Sequence, residues 1–509
     1  MKNILYIPLD ERPCNYRFMP LIAEGTDYHV LIPPEEYLGH KKNPADTAAL
    51  WDWIFQNAAS ADGAILSIDM LVYGGIVPSR LHRLSIDQCV RSLDNIKKLK
   101  ARNSHLTIYA NSLIMRCPAY SSNDEEPDYY QDWGKDIFDW GVIRQKSDLN
   151  LSSPEEAAQL REIIGRLPDE VMRDYTERRK INRSVNQRVI DLVRDGVIDF
   201  LVIPQDDSAP FGFTAMDQQF LRGYILQNHL GLKVFMYPGA DEVGMTLFAR
   251  MIYRGAKSKL NVYVRFASVS SPFIIPRYED RLLYESIKSQ LLCAGGFICQ
   301  SLEDADLVLM VNAPAAKMLE AWEQDHIGAD YNVNRNLMEF IEYSEYIVNT
   351  RKIPCAIADV AFSNGGDLEL VEYLRQKKLL FKLAAYAGWN TSSNTLGTAI
   401  TQAFIYHRYG ASQSHLNFLG LRYAEDVAYC SHVRKNVTDH LPAGTDLSYF
   451  KIDGPRGTVA ETVKNELQQF LENLIDDDDY RVRIKDIYMP WSRMFEVGLD
   501  VKVESNDRQ

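Results

Sequence analysis

Eight short apolar runs, each closing on polar or small residues, limit what this chain can fold into. They are ILYIPLDERP (4–13), YHVLIPP (28–34), GAILSIDMLVYGG (63–75), LTIYANS (106–112), FLVIPQDD (200–207), KVFMYPGADE (233–242), CAIADVAFSNGGD (355–367) and LAAYAGWNT (383–391). Helical patterns follow most of them. Near-continuous apolar strands alternating with helices belong to parallel sheets covered on both faces. Eight such runs match a (β/α)8-like barrel, the expected α/β fold. If one run is not a strand, a doubly wound parallel sheet is the alternative.

Between the sixth and seventh runs lies a segment with its own pattern. NVYVRFASVS (261–270), a helical YEDRLLYESIKSQLLCAGG (278–296), FICQS and ADLVLMVNAP (305–314) read as an inserted βαβ-type subdomain over 256–335. The barrel then comprises 1–255 and 336–420, and residues 421–509 form a C-terminal α+β cap. Residues 154–199 carry helical periodicity, strong helix formers and a stop at Gly196. The acidic run 476–479 reads as a solvated linker. No internal repeat or low-complexity tract is visible.

Composition narrows the function classes. A formal charge of -13 argues against a nucleic-acid binder, which needs a basic face. The seven cysteines contain no CxxC pair, so neither a disulfide framework nor a structural zinc site is expected. Asp10 and Glu11 interrupt the N-terminal apolar stretch too early for a secretory signal, and no run has the ~20 apolar residues of a membrane helix. The expected setting is cytoplasmic.

Carboxylates gather at the ends of the apolar runs: Asp10 and Glu11, Asp69, Asp206 and Asp207, Asp241 and Glu242, and Asp359. Ligands bind at that edge in either parallel architecture, so five separate places can converge on one pocket. Repulsion there would raise some of their pKa values, as acid/base chemistry requires. Each acid also has a local reading, since an Asp after a strand commonly caps the next helix. Asp207 suits that role, which leaves Asp206 for the pocket; one of Asp241 and Glu242 is expected to cap and the other to face the site. Arg12 is either a ligand clamp or a partner of Asp10. Tyr73 precedes a Gly-Gly turn, where glycine permits positive φ or close backbone approach. Trp389, Asn390, Asn394 and Asn364 lie in small-residue loops, where an indole face and amides suit sugar rings and hydroxyls. The local alternative for this segment is that Trp389 is core and Asn394 or Thr395 caps a helix. No GxGxxG, GxxxxGK, GxSxG, HxH or HExxH motif occurs. No cofactor is therefore expected, with an oxygen-ligated Mg²⁺ or Mn²⁺ as the alternative.

The motifs YIPLDERPCN, SIDMLVYGGIVPSR, QDDSAPFG, YPGADE, DVAFSNGGD and AGWNTSSNTLG, in this order, resemble a bacterial family catalogued as a domain of unknown function. That likeness implies no particular chemistry. A more distant one, carried by Asp206–Asp207 and Trp389–Asn390 alone, is to barrel glycosidases acting on N-acetylhexosaminides. Together these readings lead to a glycoside hydrolase acting on a small carbohydrate. Asp206, Asp207, Asp241 and Glu242 are the acid/base candidates. Asp10, Glu11, Arg12, Asp69, Tyr73, Asp359, Asn364, Trp389, Asn390 and Asn394 are the candidate binding residues. The alternatives are a Mg- or Mn-dependent hydrolase or isomerase, and a non-catalytic carbohydrate-binding protein.

Overall fold

The computed structural model describes residues 1–254, 259–477 and 479–506. Two compact units account for them. The first is Met1–Glu11, Tyr28–Gly244 and Tyr278–Asp280; the second is Arg12–Asp27, Met245–Arg277 and Arg281–Gln509.

In the first unit, strands β1 (Lys2–Ile7), β2 (Tyr28–Leu31), β3 (Gly63–Ser67), β4 (Thr107–Asn111), β5 (Phe200–Gln205) and β6 (Val234–Pro238) form one parallel sheet. Its order is β2-β1-β3-β4-β5-β6. Every residue of β3, β4 and β5 is buried. Burial on both faces is why these runs are apolar throughout rather than alternating.

The second unit holds β7 (Leu260–Phe266), β8 (Gly296–Cys299), β9 (Leu307–Asn312), β10 (Leu319–Glu320), β11 (Cys355–Asp359), β12 (Phe362–Ser363) and β13 (Ala385–Ala387). Five of these make a parallel sheet in the order β13-β11-β9-β7-β8, while β10 and β12 pair separately. An antiparallel hairpin of β14 (Tyr480–Tyr488) and β15 (Gly498–Ser505) follows near the C-terminus. Between β13 and that hairpin, the helix Gln413–Arg422 runs into an eleven-residue π-helical stretch, Tyr423–Val433. Long π-helix is rare and is found mostly at functional or specially constrained places.

All eight apolar runs are strands, yet they do not close into one barrel. Among the described residues β2 and β6 each pair on one side only, and β11 and β13 belong to the other sheet. The strands expected as an insertion, β7 to β9, pair with β11 and so complete the second sheet. The expected boundary at 255/256 falls on residues outside those described, as does residue 478 of the acidic run. Counted from the first strand of each unit, the second sheet reads 2-1-3-4-5 and the first reads the same order with a sixth strand added, as in an open doubly wound sheet. This repeat of topology leaves no trace in the sequence, because pairing order depends on strand geometry and not on which apolar residues fill a strand.

One local structure positions much of the candidate site. Ser67 Oγ accepts the Met70 N–H and starts the short helix Ile68–Tyr73 directly after β3. Gly74 ends it at φ 88°, in the left-handed region that glycine enters without penalty. A Cβ there would lie 2.6 Å from the Ala45 nitrogen and 2.7 Å from Pro44 Cβ. Gly74→Ala is expected to lower stability by about 1–3 kcal/mol, read as a drop in melting temperature. Among the described residues no helix is long and apolar enough to cross a membrane.

Candidate functional site

Parallel pairing puts the carboxyl ends of β1, β3, β5 and β6 along one edge of the first sheet, in register with their following acids. Neighbouring strands lie ~4.8 Å apart, so β3 and β5, separated only by β4, bring their ends within ~10 Å. Long side chains close the rest of that distance. Arg80 lies in the helical turn Pro78–Leu81 beyond Gly74, and Arg116 follows β4.

These two arginines join four acids. Arg80 donates from Nη2 to Asp206 Oδ2 at 2.9 Å, and from Nη1 to Glu125 Oε2 at 2.9 Å and Glu126 Oε1 at 3.3 Å. Arg116 donates from Nη1 to Asp207 Oδ2 at 3.0 Å, from Nη2 to Glu125 Oε2 at 3.1 Å and from Nε to Glu126 Oε1 at 2.7 Å. Arg80 and Glu126 are nearly inaccessible, whereas the Asp206 and Asp207 side chains keep 16% and 18% of their surface exposed. A ligand can therefore reach both aspartates and Glu125, whose side chain is 17% exposed. Two guanidinium charges face four carboxyl groups, so the cluster favours taking up a proton. Burial and the neighbouring Asp206 push the Asp207 carboxyl up to about 7, against the pull of Arg116 and Arg80.

Asp207 does not cap the next helix. Phe213–Gln227 begins after Gly212, whose N–H is taken by Gln145 Oε1 at 2.7 Å. Asp207 instead holds φ 41°. Left-handed backbone at a non-glycine residue stores strain of a kind that recurs at functional sites. Beside it, Ser208 Oγ is buried without a hydrogen-bond partner, and so is Glu126 Oε2 in the same cluster. Asp69 is buried as well: its Oδ2 accepts the Leu113 N–H at 2.9 Å, and burial pushes its carboxyl up to about 7.

The remaining acids of this edge are placed as follows. Asp10 is buried, and Glu11 Oε1 accepts the Lys41 N–H at 2.9 Å. Glu11 also raises the pKa of His40, whose Nδ1 lies 3.3 Å away. Asp241 and Glu242 are buried, with Glu242 Oε2 accepting the Ala240 N–H at 2.9 Å across its own turn. Tyr73 is core rather than lining: its ring stacks on His82 at 4.5 Å. Asp124, adjacent to Glu125, pairs with Lys41 and lines an open pocket of about 330 Å³ with His40, Lys42 and Asn123.

Six expected binding residues lie in the second unit. Asp359 is fully satisfied, accepting from Asn312 Nδ2 at 2.9 Å, the Tyr386 hydroxyl at 2.7 Å and the Asp367 N–H at 2.7 Å. Trp389 offers no open stacking face. It packs edge-on to Phe18, and its indole N–H donates to Thr398 Oγ1 at 3.2 Å. The apolar setting of Phe18 and Phe418 claims the ring, as its local reading allowed. Asn390 Oδ1 accepts the Thr391 N–H and Asn394 Nδ2 donates to Thr391 Oγ1, while the cap position itself is Thr391. Asn364 lines a cavity, described below. Arg12, also in this unit, lies 4.9 Å over the Trp491 ring with Glu496 Oε2 at 3.6 Å.

Burial also pushes Asp359 up to about 7, with Asp367 adding to the shift, and Asp426 up to about 8. The folded protein thus keeps protons that the unfolded chain releases near pH 4. The stability these carboxyls contribute is fully present below that pH and is lost as pH rises through 7 to 8. The expected melting temperature falls between pH 5 and 8.5, each such carboxyl contributing at most about 1.4 kcal/mol per pH unit. Asp359→Asn should flatten the profile, and a melting temperature that rises over this range would contradict it.

Arg116, Glu125, Glu126 and Arg80 are not among the residues that the sequence pattern singles out. The available signal was the acidic triplet 124–126 in a proline-flanked loop just after β4. Among the described residues no three His, Cys, Asp or Glu side chains are placed to hold a metal ion. The clustered carboxylates are instead turned onto arginines.

No curated protein and no solved structure matches the chain. A family profile described as "Protein of unknown function (DUF4127)" matches residues 4–500. With so nearly the whole length matched, the chain belongs to that family.

Proposed function

We propose that this protein is a hydrolase of glycosidic bonds in which Asp207 is the general acid and Asp206 the accompanying carboxylate. One observation carries the reading: two adjacent carboxyl groups at a strand end share Arg116, and one of them is pushed up to about 7. A carboxyl that keeps its proton near neutral pH can protonate a leaving-group oxygen. Asp206, held by Arg80, stays on the same side to stabilise positive charge at the sugar or to orient an acetamido group.

The two Oδ2 atoms lie 4.0 and 3.0 Å from Arg116 Nη1, so their separation is at most about 7 Å. That bound covers the ~5–5.5 Å of retaining enzymes and the lower end of the ~6.5–9.5 Å of inverting ones. The anomer released first, read by proton NMR, assigns the stereochemistry. The open pocket at His40, Lys41 and Asp124 supplies polar groups beside the acidic loop for a hydroxylated substrate.

The test is turnover on a panel of aryl and alkyl glycosides. Asp207→Asn should spare substrates with good leaving groups and abolish the pH-rate limb near 7. If Asp206→Asn and Asp207→Asn both leave turnover intact, or if no glycoside is cleaved, the reading fails.

A further inference from the structure

The second unit contains a pocket of about 470 Å³ whose lining includes Glu320, Trp322, Asn364, Arg434, Lys435 and Tyr449. Pockets for small ligands span roughly 300–1,000 Å³, so one monosaccharide ring fits with room to spare. We infer that this pocket is a binding site for a neutral sugar, with Trp322 as the stacking platform. The inference stands apart from the hydrolase reading, because it uses none of the residues of the first unit.

Trp322 carries the argument. It is 53% exposed, its ring contacts no other ring, and its indole N–H makes no hydrogen bond to any described residue. Leaving so large an apolar face in water forgoes burial that a ring-shaped ligand would restore. A local structure holds it in place: Glu320 and Glu323 form a capping box at the start of the 3₁₀ turn Ala321–His326 that bears it.

The polar lining is built and mixed in sign. Asn364 holds φ 60° and donates from Nδ2 to Glu320 Oε2 at 2.9 Å, while its Oδ1 accepts from no described residue. Arg434 is nearly buried, and its guanidinium donates to the Asn364, Cys430 and Phe495 carbonyls at 2.6 to 3.0 Å. Lys435 pairs with Asp439 across one helical turn. Carboxylates therefore balance the cations around the cavity, which disfavours a phosphate or another free anion. A purely apolar ligand would strip water from Glu320 and Arg434 without replacing its hydrogen bonds. Sugar hydroxyls both donate and accept, and the ring's C–H face matches an indole.

Calorimetric titration of the full-length protein with glucose and N-acetylglucosamine, and with inorganic phosphate as the anionic control, tests the inference. A saturable sugar isotherm is expected. Trp322→Ala should weaken it at least about tenfold, and Trp322→Phe should retain it within about threefold. Because Trp322 is half exposed, both variants should melt as the parent does, which separates lost binding from lost fold. Asp207→Asn should bind as the parent does, so failure of the hydrolase reading leaves this one standing. The inference is overturned if neither sugar binds, if Trp322→Ala binds unchanged, if phosphate is preferred, or if binding follows Asp207 instead of Trp322.

Discussion

Asp207→Asn is expected to lower turnover of unactivated glycosides by about 10²–10⁴-fold, the usual contribution of a general acid. The effect arises from the proton alone. An amide keeps the side chain's size and can still accept from Arg116 Nη1, now 3.0 Å from Asp207 Oδ2. It cannot donate a proton to a departing oxygen. Substrates whose leaving group needs no protonation should therefore lose much less. Arg116→Met gives an independent check. Removing the cation that pulls Asp207 down should shift the upper limb of the pH-rate profile to higher pH. A general loss across all substrates, with no change in pH dependence, would instead assign Asp207 to binding or folding.

Arg422→Met should destabilise the second unit by about 3–5 kcal/mol, the cost of leaving buried charge uncompensated. Arg422 is wholly inaccessible and lies 4.0 Å over the Phe18 ring. It donates from Nη1 to Asp426 Oδ1 at 2.9 Å and from Nη2 to Glu425 Oε2 at 2.5 Å. Both acids sit on the π-helical stretch, and Asp426 Oδ2 also takes the Gly388 N–H at 2.7 Å. Burial, with Glu425 adding to it against the pull of Arg422, pushes the Asp426 carboxyl up to about 8. The triple change Arg422→Met, Glu425→Gln, Asp426→Asn removes all of that charge and should recover part of the loss. Thermal melts of the three proteins decide it: equal melting temperatures for parent and Arg422→Met would show that the network adds little.

The strands were legible because a residue's burial on both faces of a parallel sheet leaves a local mark, an unbroken apolar run. For the same reason, acids at their ends were legible as candidates. Helix starts were legible wherever a side chain caps its own backbone, as at Ser153 before Pro154–Arg166. Misreadings came where a side chain's partner is distant in sequence. Asp207 looked like a cap because the competing partner, Arg116, is 91 residues away. Trp389 looked like a platform because nothing local reveals Phe18 beside it. The exposed indole that the sequence did not single out is Trp322.

What the sequence determined by itself was therefore the set of strands and the acids that follow them, since apolar runs and polar ends are properties of short segments. Tertiary structure decided which strands share a sheet, that the two larger sheets share the order of their first five strands, and which carboxyl keeps its proton. Those outcomes depend on hydrogen-bond pairing and on the charges and dielectric around a side chain, and both are set by residues far apart along the chain.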